Sequence, residues 1–188
     1  ELVKSADYVY LENYTSKLEC SKEDLEKLYE KKVILAERAF VEDGSVMVDQ
    51  ATEGNVVLLI IGDVFSATTH ISIYEQAKEA KLEINVVHNA SVLTAVGITG
   101  LQLYKFGKTT SISFHDSDMP MRVIKENGSM HTLCLLDLVP KENKYMQAKE
   151  AMQRLIEKGF DKEKMVVVCA QLGSKDPFIQ YKKAKDIE

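Results

Sequence analysis

Apolar residues in this chain fall into two kinds of pattern that alternate along its length. Short continuous or alternating apolar runs mark strands, and longer segments with apolar residues every three or four positions mark helices. Residues 2–6 read as the end of a helix, and residues 7–11 as a short strand of aromatic and β-branched residues. Residues 21–31 read as a helix, with Ser21 as its cap, Asp24 at the capping-box position, and Leu25 and Leu28 on one face. Residues 32–35 predict a second strand, and the polar residues 42–53 a surface helix or turn. Residues 56–61 are continuously apolar and end at Gly62-Asp63, the pattern of a strand buried on both faces that leads into a functional loop. Residues 69–81 are helical in pattern, with Ile73, Ala77 and Ala80 on one side and a threonine of Thr68-Thr69-His70 as cap. Residues 83–88 predict another strand. Residues 91–106 predict an apolar helix rich in small side chains, with Gly97 and Gly100 inside it.

The second half opens on an alternating strand at residues 109–114, followed by a polar segment over 115–120. Residues 132–138 predict a buried strand, and residues 145–158 an amphipathic helix carrying Met146, Ala148, Met152, Leu155 and Ile156, with Gly159 as its C-cap. Residues 165–170 predict a further buried strand leading into Gln171-Leu172-Gly173. Strands alternating with helices make the class α/β. The best boundary falls at Gly107, which gives an N-terminal lobe of residues 1–107 and a C-terminal lobe of residues 108–188, each near the lower end of domain size.

Composition narrows the field only a little. The chain has 188 residues, 45% of them hydrophobic and 28% charged, which is ordinary for a globular protein. Its 24 Lys and Arg against 29 Asp and Glu give a net charge of −5, which disfavours a generic nucleic-acid binder or an anionic-membrane binder. No apolar run approaches the length of a membrane-spanning helix. Cys20, Cys134 and Cys169 are too far apart for zinc spacing, and read as reduced structural thiols in the cytosol. No metal site is expected.

Ligands in open α/β sheets bind beyond the carboxyl ends of strands. Four apolar runs end in suitable segments: Gly62-Asp63, His88-Asn89-Ala90-Ser91, Leu136-Asp137 and Gln171-Leu172-Gly173. Asp63 is able to accept hydrogen bonds from an amine or a ribose hydroxyl, or else to cap the next helix or make a turn. Ser91 precedes an apolar helix, whose free amides suit an anion such as a ligand carboxylate; simple capping explains it equally well. There is no GxGxxG after a strand, no P-loop, no GxSxG and no HExxH. His70, His88, His115 and His131 are scattered, and a histidine after a buried strand is more often structural than a general base. From the residues alone, the chain is a two-lobed α/β protein with strand-end loops suited to a small polar ligand.

Four segments, in order across nearly the whole chain, carry a more specific signal. They are Val9-Tyr10-Leu11-Glu12 with Tyr14-Thr15-Ser16; Ile60-Ile61-Gly62-Asp63-Val64-Phe65-Ser66-Ala67-Thr68-Thr69-His70; His88-Asn89-Ala90-Ser91 with Ala95-Val96-Gly97 and Gly100-Leu101-Gln102-Leu103-Tyr104-Lys105-Phe106-Gly107; and Met130-His131-Thr132-Leu133-Cys134-Leu135-Leu136-Asp137. Together they resemble the diphthine synthase family, methyltransferases of the diphthamide pathway with a tetrapyrrole-methylase-like fold. The resemblance implies a two-lobed α/β enzyme with its cofactor cleft between the lobes. It implies S-adenosyl-L-methionine as cofactor and S-adenosyl-L-homocysteine as product. The implied substrate is translation elongation factor 2, at a histidine already bearing an aminocarboxypropyl group, whose amine is methylated repeatedly. A cytoplasmic homodimer that engages neither nucleic acid nor membrane is also implied.

Carried over residue by residue, the family's cofactor contacts fall on Asp63, Ser66, Ser91, Val92, Leu136 and Leu172, all in or beside the four strand-end segments. No catalytic residue is assigned: a sulfonium methyl is already activated, and near-attack positioning supplies about 7–11 kcal/mol. The family's Pro after Gly-Asp is Val64 here, and its next Gly is Ser66, one small side chain closer to a ligand. The family's first strand with its Gly-rich loop is expected before Glu1 and its last strands after Glu188; residues 114–121 and 138–145 are short against the family pattern. Two other readings share the fold: a methyltransferase acting on a corrin or porphyrin precursor, and a catalytically silent ligand-binding module.

Overall fold

The computed structural model describes residues 1–188 apart from Glu19 and Ala67. The chain divides into two compact units, Glu1–Asn89 and Ala90–Glu188.

The first unit is built on three parallel strands in the order β2-β1-β3, with β1 at Tyr8–Glu12, β2 at Ile34–Ala36 and β3 at Val56–Leu59. Parallel neighbours need crossover connections. The chain supplies them as α1 (Lys22–Tyr29) and as α2 (Arg38–Asp43) with α3 (Ser45–Gln50); α4 (Ile71–Glu79) follows β3. Successive side chains of a strand point to opposite faces, and the sequence YVYLE uses both. Val9 and Leu11 enter one core with Ala6, Leu25 and Val33, while Tyr10 enters another with Ala36, Val41 and Met47. The neighbouring strand divides the same way, with Val57 and Leu59 against the first core and Val56 and Leu58 against the second. Each fully buried aliphatic residue, such as Val9 or Val33, contributes about 1.5–3 kcal/mol. The predicted cap of α1 is formed: the Ser21 hydroxyl accepts from the Asp24 amide, and the Asp24 carboxylate accepts from the Ser21 amide.

Residues 42–53 run from the end of α2 through α3 into a turn, in line with the surface helix or turn read there, with Met47 buried. Two expectations in this unit are corrected. Residues 2–6 make turns rather than a regular helix. The strand expected at residues 83–88 is not formed. Leu82 and Ile84 are half-buried, but Val87 is 66% exposed. The apolar pattern there finds a surface to lie on but no ladder partner.

The second unit holds three two-stranded pairings. Strands β4 (Thr110–Ile112) and β5 (Cys134–Leu136) are parallel, crossed over by α6 (Met119–Asn127). Strands β6 (Leu138–Val139) and β7 (Lys144–Tyr145) are antiparallel, as are β8 (Met165–Ala170) and β9 (Phe178–Lys183). Helix α7 (Ala148–Glu157) lays Ala151 and Leu155 onto Ile112, Met121 and Met146. The predicted helix at residues 91–106 is broken into a four-residue helix α5 (Val92–Ala95) and two 3-10 turns at Val96–Thr99 and Leu103–Lys105. Gly100 ends the first 3-10 turn at φ +81, a conformation that suits glycine and stops a helix. Helix α6 begins at Met119, at the end of the polar stretch read from residues 115–120, where Pro120 in the first turn is a helix-start signal.

The division between Asn89 and Ala90 comes earlier in the chain than the boundary read at Gly107. Residues after Ala90 belong with the second half because they share its cavity. Val96, Thr99, Leu101 and Phe106 line a space of about 630 Å³ together with residues of β5, α7 and β8. Phe106 also forms a parallel bridge with His131. No helix among the described residues is long and apolar enough to cross a membrane.

Candidate functional site

The loop after β3 is organised by one carboxylate. Gly62 turns the chain at φ +95, and Asp63 then accepts four hydrogen bonds. Its Oδ1 takes the Phe65 amide at 3.1 Å and the Ser66 hydroxyl at 3.0 Å, and its Oδ2 takes the Asn89 amide at 3.3 Å and His88 Nδ1 at 2.9 Å. The first two bonds make the turn that was one reading of Asp63; the other two tie the loop to the segment before Ala90. Hydrogen bonds to a carboxylate favour its charged form. The His88 ring, followed by the Phe65 amide, holds the Asp63 carboxyl down to about 2. Asp63 is therefore a fixed negative charge at any physiological pH.

A second network joins this loop, through His70, to the turn after β1. Glu12, at the end of β1, is fully buried and accepts from the Tyr14 amide at 3.0 Å, the Thr15 amide at 2.7 Å and the Thr15 hydroxyl at 2.7 Å. His70 is 4% exposed, with Nδ1 3.2 Å from the Val64 carbonyl and Nε2 3.4 Å from the Tyr14 hydroxyl. A carbonyl only accepts, so Nδ1 carries the proton and Nε2 accepts from Tyr14. Burial, with the Glu12 charge second, pushes the Tyr14 phenol up to about 12, so it remains a donor. His70 precedes α4 without a side-chain cap, and the Thr68 hydroxyl bonds back to the Val64 carbonyl. Of the expected threonine cap, one long bond ahead of the helix is formed, the Thr68 hydroxyl accepting from the His70 amide at 3.4 Å. Ala67, in the same segment, lies outside the described residues.

In the second unit, Ser91 is buried and caps α5, its hydroxyl accepting from the Leu93 amide at 3.1 Å. Four residues of helix give no useful dipole, so the anion-site reading of Ser91 is set aside in favour of capping. Val92 is 38% exposed. Leu136 ends β5 and lines the 630 Å³ cavity. Leu172 is half-buried in the turn between β8 and β9, where Gln171 and Gly173 both take positive φ. The Ser174 hydroxyl in that turn is buried and makes no hydrogen bond. Sequence reading did not single it out, because nothing in its neighbours marks a buried serine. The Asp63–His88 pair was missed as a pair for another reason: the residues are 25 apart, and only the tertiary fold joins them. Among the described residues, no group of three His, Cys, Asp or Glu is placed to hold a metal ion. Desolvation raises the Cys134 thiol to about 11 and the Cys169 thiol as well, so both are inert.

Comparison with known proteins agrees with this frame. The family model for tetrapyrrole (corrin/porphyrin) methylases matches residues 1–187. The diphthine synthase of Methanococcus vannielii is 38% identical, aligning 100% of this chain with 79% of its own. The diphthine methyl ester synthase of Dictyostelium discoideum is 36% identical over 94% of this chain and 76% of its own. A solved diphthine synthase structure superposes with a TM-score of 0.92 at 38% identity, covering 98% of this chain and 74% of that one. The chain is a methyltransferase of the tetrapyrrole methylase family, and within that family it belongs with the diphthine synthases.

Proposed function

We propose that the protein uses S-adenosyl-L-methionine to methylate, repeatedly, the amine of the aminocarboxypropyl-modified histidine of translation elongation factor 2. The observation that carries this reading is the diphthine synthase likeness over nearly the whole chain. It is supported by where that family's cofactor positions fall: Asp63 and Ser66 in the loop after β3, Leu136 at the end of β5 and Leu172 in the turn after β8, whereas Ser91 and Val92 follow a segment that forms no strand. Asp63, Ser66, Ser91, Val92, Leu136 and Leu172 are assigned to cofactor contact. The local chemistry fits such a ligand in two respects. The permanently ionised Asp63 offers charge to a molecule bearing an ammonium and a sulfonium. The unpaired Ser174 hydroxyl, beside Leu172, has an unmet hydrogen bond for a polar ligand atom to fill.

The bound cofactor supplies a methyl group already activated by its positive sulfur. The chain's own residues have to orient, exclude water and manage one proton. Gly62 lets the backbone turn tightly in the loop after β3, and Asp63 fixes the loop by four hydrogen bonds. Ser66 stands where the family has glycine, and its hydroxyl is turned onto Asp63, which accommodates the extra side chain by giving it a partner. The same reading carries a homodimeric, cytoplasmic enzyme.

Mass spectrometry of modified elongation factor 2 after incubation with the protein and S-adenosyl-L-methionine tests the reading. Successive methyl additions on the modified histidine are expected, with the cofactor bound by calorimetry. Cofactor binding without methyl transfer to that substrate would point to a different acceptor, and no cofactor binding would sink the reading altogether.

A further inference from the structure

Resting on the methyltransferase reading above, we propose that His88 is the group that takes the proton from the attacking amine, with Asp63 as its positioning partner. Nδ1 of His88 lies 2.9 Å from Asp63 Oδ2. An ionised carboxylate only accepts, so the ring proton sits on Nδ1 and the lone pair of the neutral imidazole is on Nε2. Among the described residues, Nε2 makes no hydrogen bond. The two partners differ in exposure in a useful way: the His88 side chain is 70% exposed and that of Asp63 13%. One end of the ring is pinned inward and the other is offered outward.

The ring is also held in orientation. Its ring meets that of Phe65 edge to face with centroids 6.2 Å apart, and Phe65 meets Tyr74 the same way at 5.9 Å. Asp63 cannot swing away without losing the Phe65, Ser66 and Asn89 donors. Among the described residues, the titratable and charged groups on this side of the ring are Asp63 itself and, behind Phe65, Tyr74 with Lys78 of α4 over its ring. His70 makes a useful contrast, since both its nitrogens are engaged and it is 4% exposed.

An amine attacks only when neutral. The substrate ammonium gives its proton to Nε2, and the freed lone pair forms the new nitrogen–carbon bond. The methyl–sulfur bond breaks in the same step and its electron pair stays on sulfur. The imidazolium stays hydrogen-bonded to Asp63 and returns its proton to solvent before the next round. This sets the proton-handling group against the carboxylate assigned to cofactor contact.

The test compares the wild type with His88→Gln and His88→Ala on modified elongation factor 2. His88→Gln is expected to lower kcat near neutral pH by about 10²–10⁴-fold while leaving cofactor affinity unchanged by calorimetry. Its kcat should climb with pH toward the wild-type value, as hydroxide takes over the deprotonation, and added imidazole should restore His88→Ala. Unaltered kcat and pH profile in His88→Gln, or a loss confined to cofactor affinity, overturns the assignment. Independently of activity, nitrogen NMR of the wild type is expected to show His88 protonated at Nδ1 when neutral; a proton on Nε2 overturns it as well. Failure of the wild type itself to transfer methyl groups refutes the functional reading instead, and is distinguishable from either result.

Discussion

Two carboxylates of the first unit do different work, and each makes its own prediction. Asp63 binds its proton more weakly in the folded protein, at about 2, than at the ordinary value of 3.8. Over the interval between those values the unfolded chain holds more protons, so stability rises with pH there. Its contribution is complete above the ordinary carboxylate value and is gone once pH falls through about 2. Asp63→Asn should therefore flatten the acid-side loss of stability, read as urea midpoints across that interval; identical slopes in the two proteins would contradict it. Glu12 is fully buried and serves three donors of residues 14 and 15. Removing it strands those groups away from water, and Glu12→Ala should cost about 2–4 kcal/mol of unfolding free energy. Glu12→Gln keeps one acceptor oxygen and should cost less. A denaturation curve for Glu12→Ala that overlays the wild type would refute the role. Neither carboxylate was fully legible in the chain. Asp63 stood out because it ends an apolar run, whereas the function of Glu12 depends on a turn that closes only after β1 is in place.

At the scale of elements, local rules read well where the sequence alone decides the outcome. The capping box of α1 needs only Ser21 and Asp24, three residues apart, and it was visible. The aromatic and β-branched residues of 7–11 marked β1, and in the fold each of its faces meets its own core. The rule failed where tertiary neighbours decide. Residues 83–88 carry strand chemistry but find no ladder partner, and β9 was overlooked because its apolar positions, Phe178, Ile179 and Tyr181, are interrupted by Gln180 and followed by lysines. The stretch ending at Gly107 shows both sides. Its apolar, small-residue character was plain, but Gly100 breaks it. Gly107 itself matters for a reason no local pattern reveals: a Cβ there would run into the Asn127 amide. Asn127 accepts from the Lys108 amide at 2.9 Å and donates to the Lys108 carbonyl at 2.9 Å and the Thr132 hydroxyl at 2.7 Å. It thereby joins the end of α6 to the approaches of β4 and β5. Gly107→Ala should shift this amide and destabilise the second unit by about 1–3 kcal/mol, seen as a lower urea midpoint. A neutral substitution would show that the amide moves aside at no cost.

For the whole molecule, the sequence indicated two α/β units but placed the seam late. Helical-looking residues 91–106 appeared to continue the first unit, and only the lining of the second unit's cavity shows where they belong. The actual division has a mechanical consequence. Each unit owns a separate apolar core, the first around β1 and the second between β4, α6 and α7. Residues 83–88, just ahead of the division, are exposed save for the half-buried Ile84, and they lack the hydrogen-bonded ladder that protects the strands. Proteases cut where backbone opens at least cost. A brief digestion with thermolysin, which favours sites beside large apolar residues, should first cut near the exposed Val86 and Val87. It should leave two fragments that resist further cleavage. His88, the last residue of this segment, carries its aromatic and ionic contacts, so a cut just ahead of it should also release the ring from Asp63. Nitrogen NMR of the nicked protein should then lose the pinned Nδ1 tautomer while the cores of both units stay folded. First cleavage inside β8, β9 or α7 would show that the second unit, rather than the segment before the seam, is the less protected part.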